Sequence, residues 1–150
     1  MTITIENTSL IQLDELYKIE TECFKREAFS KRQIAQLLAT YNSVGLVAKD
    51  GGRIVGFIIG IVCEDRKKLT GHVLTIDVSP SQRRKGVGER LLHDMERIFK
   101  ERGIETSLLE VREGNVAAKS LYEKFGYTEV AKLRKYYGHA DGICLKKILR

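Results

Sequence analysis

The stretch Val78-Ser79-Pro80-Ser81-Gln82-Arg83-Arg84-Lys85-Gly86-Val87-Gly88-Glu89-Arg90-Leu91-Leu92 joins a strand-like run to the start of an amphipathic helix through a short basic turn. Glycines stand at 86 and 88, where side chains would obstruct a ligand approaching the backbone. A helix start leaves its first N–H groups unpaired and carries partial positive charge, so it attracts an anion without side-chain help. Arg83, Arg84 and Lys85 add to that field. No Lys-Ser/Thr follows as in a Walker A loop, and Leu91 stands where a dinucleotide fingerprint has its third glycine. The plain reading of the two glycines is a shaped connection; the sharper one is a pyrophosphate turn of another kind.

Downstream, Val87, Leu91, Leu92, Met95, Ile98 and Phe99 form one helical stripe that closes at Arg102-Gly103. A strand over 106–111, a helix over 115–125 ended by Gly126, and two strands around the turn 138–142 complete this half. Upstream, Thr2-Ile3-Thr4-Ile5-Glu6 alternates as a strand does. Leu10, Leu13, Leu16, Tyr17 and Glu20 then recur at helical spacing behind a cap at Asn7, Thr8 or Ser9. Ser30 caps a second helix with Ile34, Leu37 and Leu38 inward, ending near Asn42. Strands at 44–49 and 53–63 flank Asp50-Gly51-Gly52, and a third at 72–78 follows the charged turn 64–68. The order β-α-α-β-β-β-α-β-α-β-β describes a mixed α/β fold.

With 150 residues, 43% hydrophobic and 31% charged, the chain reads as one domain over 1–150 that buries a core without disulfides or metals. The longest apolar stretch, 54–63, is broken by glycines and too short for a bilayer, so it reads as a buried strand. Met1 leads directly into the first strand pattern without a secretory leader, and no membrane association is expected. Cys23, Cys63 and Cys144 lack a C-x-x-C pair, and His72, His93 and His139 are scattered. These features predict a cytoplasmic protein without a metal site. The net charge of +6 is spread along the chain, and the aromatics form no RNP-like motif, so no specific nucleic-acid partner is indicated. A polyanionic small ligand would use part of this charge.

The segment 78–92 resembles motif A of the GNAT superfamily of acetyltransferases, whose Arg/Gln-x-x-Gly-x-Gly/Ala signature is matched by Arg83, Gly86 and Gly88. Within it, Leu109-Glu110-Val111-Arg112, Asn115, Leu121-Tyr122-Glu123-Lys124-Phe125-Gly126-Tyr127 and Tyr136-Tyr137 resemble the RimI-like and archaeal protein N-terminal (N-alpha) acetyltransferases over nearly the whole chain. The resemblance implies a strongly twisted central sheet of about seven strands with about four helices, splayed into a V between the strands flanking the glycine helix. It implies acetyl-CoA as cosubstrate and the free α-amino group of a protein N-terminus as acceptor. Ribosomal proteins are among the implied partners, and the expected state is a monomer or weak homodimer.

The implied reaction is direct attack of a neutral amine on the thioester through a tetrahedral oxyanion, so a base, an oxyanion site and an acid for the departing sulfur are needed. Glu110 lies among Leu108, Leu109 and Val111, where partial burial makes a carboxylate a better proton acceptor, and the family pattern assigns it the base. Its plain reading is a solvated carboxylate or an ion-pair partner of Arg112. His72, in a Gly-His pair that resembles archaeal members, is the alternative or accessory base, and its plain reading is a surface or hydrogen-bonded histidine at a strand start. Tyr122 is the acid, with Asn115 two helical turns away on the same face. An α-amino group, with a pKa near ~8 against ~10.4 for lysine, asks less of such a base.

The cofactor would rest on the backbone of Ile76, Asp77 and Val78, on Arg83, Arg84, Lys85, Gly86, Val87, Gly88 and Glu89, and on Asn115 and Tyr122. The family places acceptor recognition in the loop carrying Phe24, Glu27 and Phe29 and the hairpin carrying Tyr136 and Tyr137. Ala28 departs from the proline many relatives have there. The alternatives are an acetyltransferase acting on a lysine side chain or small amine, and a non-catalytic acetyl-CoA-binding module.

Overall fold

A computed structural model of the chain describes residues 2–138 and 140–150, so Met1 and His139 lie outside the described residues. The expected order of elements is present: β1 (Ile3–Asn7), α1 (Leu13–Cys23), α2 (Lys31–Ala39), β2 (Ser43–Asp50), β3 (Arg53–Asp65), β4 (Lys68–Val78), α3 (Val87–Glu101), β5 (Thr106–Arg112), α4 (Val116–Lys124), β6 (Thr128–Leu133) and β7 (Gly142–Ile148). The seven strands form one sheet in the order β1-β2-β3-β4-β5-β7-β6. Every neighbouring pair is antiparallel except β4–β5, which is parallel and needs the α3 crossover.

The sheet is covered on both faces. Phe57 and Ile59 of β3 pack with Leu16, Ile19 and Ile34 of α1 and α2, while Ile58 packs with the α3 stripe. That double coverage is why 54–63 reads as one apolar run rather than as an alternation. α3 lies close against strand glycines: a Cβ on Gly71 would come within 2.3 Å of Phe99, and one on Gly60 within 3.1 Å. Val87, Leu91, Leu92, Met95 and Phe99 are fully buried there, each contributing about 1.5–3 kcal/mol.

Four boundaries differ from the sequence reading. Leu10 is 53% exposed in a 3₁₀ turn and Tyr17 is 37% exposed; the buried face of α1 is Leu16, Ile19 and Glu20. Reciprocal bonds between Ser9 and Gln12 tighten the chain ahead of α1 and change its phase. Ser30 does cap α2, accepting from Gln33 N–H at 3.1 Å, but the helix stops at Ala39, where the Thr40 hydroxyl bonds back to Gln36 O. β3 and β4 run further than expected and meet in a two-residue turn, Arg66-Lys67, with φ of 51° and 68°. Both residues are left-handed without being glycine, so the sequence lacks the usual hairpin cue. The expected turn 138–142 is instead the end of a longer connection between Leu133 and Gly142, where Asp141 accepts Lys135 N–H at 2.9 Å. No described helix is long and apolar enough to cross a membrane.

Candidate active site

Pairing between β4 and β5 runs from Thr70↔Thr106 to Val73↔Leu109 and stops, although both strands continue. On its other edge β4 bulges at Leu74, because Ile59 pairs with Thr75 while Gly60 pairs with Val73. The strands therefore part, and the opening forms a cleft of ≈ 940 Å³ walled by β4, β5, the loop after α1, α4 and the β6–β7 connection. This is the V expected from the sequence. Ile76 lines it. The Val78 carbonyl accepts Cys23 Sγ and Arg83 Nε, each at 3.3 Å. The Asp77 side chain is wholly buried against Thr75.

Glu110 stands on β5 just past the last paired residues. Its Oε1 lies 2.7 Å from His72 Nε2 and accepts the Tyr136 hydroxyl at 3.3 Å. The two candidate proton acceptors are thus in direct contact, and the late tyrosine pair is tied to them. Arg112 pairs with Glu27.

Tyr122 projects from α4 into the cleft, with its ring edge against Tyr127 at 6.1 Å. Burial pushes its hydroxyl well up from the ordinary 10.0, and the neighbouring Asp77 and Tyr137 push the same way, so it stays a proton donor. Asn115 shares the cleft wall with Tyr122, and its Oδ1 caps α4 by accepting Ala118 N–H at 3.1 Å.

The basic turn stands at the start of α3 rather than in the wall of the cleft. Arg84 and Gly86 are left-handed, with φ of 63° and 79°. The first helical bond is given by Arg90 N–H to Gly86 O at 3.1 Å, so the N–H groups of Val87, Gly88 and Glu89 precede it. A Cβ on Gly86 would meet nothing within 4 Å. The Val87 side chain is core, and the Glu89 carboxylate pairs with Lys124 at 3.1 Å, so these two positions offer backbone to a ligand. Lys85 Nζ donates to Gln82 at 3.5 Å.

Phe24, Glu27, Phe29, Tyr136 and Tyr137 all border the cleft. Tyr136 and Tyr137 meet edge to face at 4.9 Å, and the Arg112 guanidinium lies 6.0 Å from the Tyr137 ring. Arg112 therefore links β5, the loop after α1 and the hairpin. Burial pushes the Tyr137 hydroxyl up to about 12, helped by Tyr136 and Glu110 and opposed by Arg112. Glu20 and Thr75, which also line the cleft, carry no motif in the sequence. The placement of a carboxyl at Glu20 on the otherwise apolar face of α1 is the one signal that could have found them.

A family model described as Acetyltransferase (GNAT) family matches residues 13–127. The chain is 34% identical over 147 residues to an N-alpha-acetyltransferase of Sulfurisphaera tokodaii, covering 92% of this chain and 86% of that one. It is 32% identical over 146 residues to the ribosomal protein bS18-alanine N-acetyltransferase of Salmonella typhimurium, covering 95% of each. In three dimensions it matches the ribosomal-protein-S18-alanine N-acetyltransferase from Escherichia coli with a TM-score of 0.89 at 27% identity, covering 99% of this chain and 94% of that one.

Proposed function

The chain belongs to the acetyltransferase (GNAT) family, and on that footing we propose that it transfers the acetyl group of acetyl-CoA to the free α-amino group of a protein N-terminus. The observation that carries this reading is the contact of His72 with Glu110 at the point where β4 and β5 part. A proton acceptor there faces the same cleft as the Tyr122 hydroxyl and the loop carrying Phe24 to Phe29.

Acetyl-CoA supplies the thioester. The left-handed pair Arg84 and Gly86, the free side of Gly86 and the leading N–H groups of α3 fit a pyrophosphate, and Arg83, Arg84 and Lys85 supply charge beside it. The opened edge of β4 at Ile76 offers backbone groups to a peptide-like arm and to the developing oxyanion. Glu110 takes the proton from the incoming ammonium, directly or through water, while His72 and Tyr136 orient its carboxylate. Tyr122 returns a proton to the leaving sulfur. Phe24, Phe29, Tyr136 and Tyr137 form the rim where the first residues of the acceptor would lie, with Glu27 held there by Arg112.

The relatives named for ribosomal protein bS18-alanine support a ribosomal protein as acceptor. The three free cysteines suit a reducing compartment such as the cytoplasm. The test is thiol release from acetyl-CoA with a library of short peptides. Particular free N-termini should support turnover, and blocking the α-amino group should abolish it. Turnover only on lysine side chains or polyamines would overturn the acceptor, and no turnover with any amine would overturn the reading.

A further inference from the structure

A line of four polar groups runs from the interior of β4 to the loop at the cleft rim. Asp77 Oδ1 lies 2.5 Å from Thr75 Oγ1, which lies 3.2 Å from Glu20 Oε1. Glu20 Oε2 accepts the Phe29 N–H at 3.0 Å. Asp77 is 0%, Glu20 1% and Thr75 7% exposed, so these bonds lie at the buried floor of the cleft.

Counting hydrogens assigns the protonation. A threonine hydroxyl has one proton and can donate to only one of its two carboxyl neighbours. The other contact needs a proton on a carboxyl group. Asp77 is the better holder, because its Oδ2 is buried with no hydrogen-bond partner among the described residues, whereas Glu20 has a backbone N–H to receive its negative charge. The chain then reads Asp77 O–H to Thr75 Oγ, Thr75 O–H to Glu20, and Phe29 N–H to Glu20, which gives each of these three contacts one proton.

We propose that Asp77 is a positioning residue whose carboxylic proton, through Thr75, fixes Glu20 as the anchor of the loop carrying Phe24 to Phe29, and so sets affinity for the peptide acceptor. This inference rests on the proposed function. The groups facing Asp77 are Glu20 and Cys23 of α1, Thr75 of β4, Arg83 of the basic turn and Tyr122 of α4. Burial first, and then the side-chain hydrogen bond and the charge of Glu20, which approaches Asp77 directly as well as through Thr75, hold the Asp77 carboxyl well above the ordinary 3.8, with Thr75 and Arg83 opposing. Once pH rises through that raised value, two buried carboxylates compete for one hydroxyl proton and the anchor loosens.

The experiment measures the KM of peptide and of acetyl-CoA against pH for the wild type and for Thr75→Val, Asp77→Ala and Asp77→Asn, together with the Phe29 amide signal of the ¹⁵N-labelled protein without substrate. Thr75→Val, nearly isosteric, should raise peptide KM about tenfold and leave acetyl-CoA KM within about twofold. Asp77→Asn keeps a donor toward Thr75, so it should rescue most of the affinity lost in Asp77→Ala and flatten the rise of peptide KM with pH. Thr75→Val should also move the Phe29 amide signal. A Phe29 signal indifferent to Thr75→Val overturns the proposal whatever the substrate, as does an unchanged peptide KM. A responding Phe29 signal in a protein that acetylates no peptide upholds the anchor and removes only the acceptor reading.

Discussion

His72 Nε2 and Glu110 Oε1 are 2.7 Å apart, joining His72, which pairs with Leu108 inside the β4–β5 ladder, to the first β5 residue beyond its last pair, Val73↔Leu109. The same oxygen accepts the Tyr136 hydroxyl, so the carboxylate is held by two partners at the cleft wall. Glu110→Gln should therefore lower kcat by about 10²- to 10⁴-fold while acetyl-CoA affinity, read by calorimetric titration, changes little. His72→Ala should cost less, because Tyr136 still holds the oxygen. Equal turnover in Glu110→Gln would remove Glu110 as the base.

Tyr122 offers a different test, since its hydroxyl is pushed up by burial and carries its proton across the working pH range. Tyr122→Phe should lower kcat by about 100-fold without adding or removing a limb in the pH–rate profile. The ring edge against Tyr127 is kept, so Tm should barely move. A loss of Tm in parallel with activity would make Tyr122 a packing residue only.

Most of the fold is legible in the sequence because periodicity and turn chemistry agree in each element. The α3 stripe, the Ser30 cap and the Gly51-Gly52 hairpin all fall where local pattern puts them. What escapes is non-local or unusual in local chemistry. The Arg66-Lys67 turn adopts left-handed backbone at residues that seldom do so. Of the candidate site, Glu110, Tyr122 and the glycine turn are singled out by the family resemblance, and the structure brings Glu110 and Tyr122 to one cleft. The pairing of Arg112 with Glu27 crosses from β5 to the loop after α1, and no spacing rule foretells it. Asp77 reads as one more residue of a cofactor-facing strand, yet its side chain takes the buried position and meets Glu20 through Thr75.

The two glycines of the basic turn should separate in mutagenesis. Gly86 has φ of 79° and open space around a Cβ, so Gly86→Ala is opposed by backbone strain alone, about 1 kcal/mol. Gly88 has no such φ, and a Cβ there would touch Val78 and Leu121 at 3.6 and 3.8 Å, ordinary contact distances. Gly88→Ala should thus fold and bind nearly as the parent. Gly88→Leu should raise acetyl-CoA KM by tenfold or more, roughly the cost of losing one good backbone–phosphate bond. If Gly88→Leu binds normally, the start of α3 is not the pyrophosphate site.

Stability should report the protonation of Asp77 without any substrate. The folded-state carboxyl is raised above its ordinary 3.8 by burial and then by Glu20, so the folded protein holds this proton more tightly than the unfolded chain. Its contribution is fully present below 3.8 and is lost as pH rises through the raised value. Asp77→Asn cannot ionise and still donates toward Thr75, so it escapes that loss. Relative to the wild type its Tm should be similar near pH 4, climb above it as pH rises, and then hold a constant gap, about 2–4 °C for each kcal/mol retained in a chain of this size. Scanning calorimetry from pH 4 to 9 measures the difference. A gap independent of pH would mean that Asp77 is ionised in the fold as readily as out of it, and that the proton counted between Thr75 and Asp77 resides elsewhere.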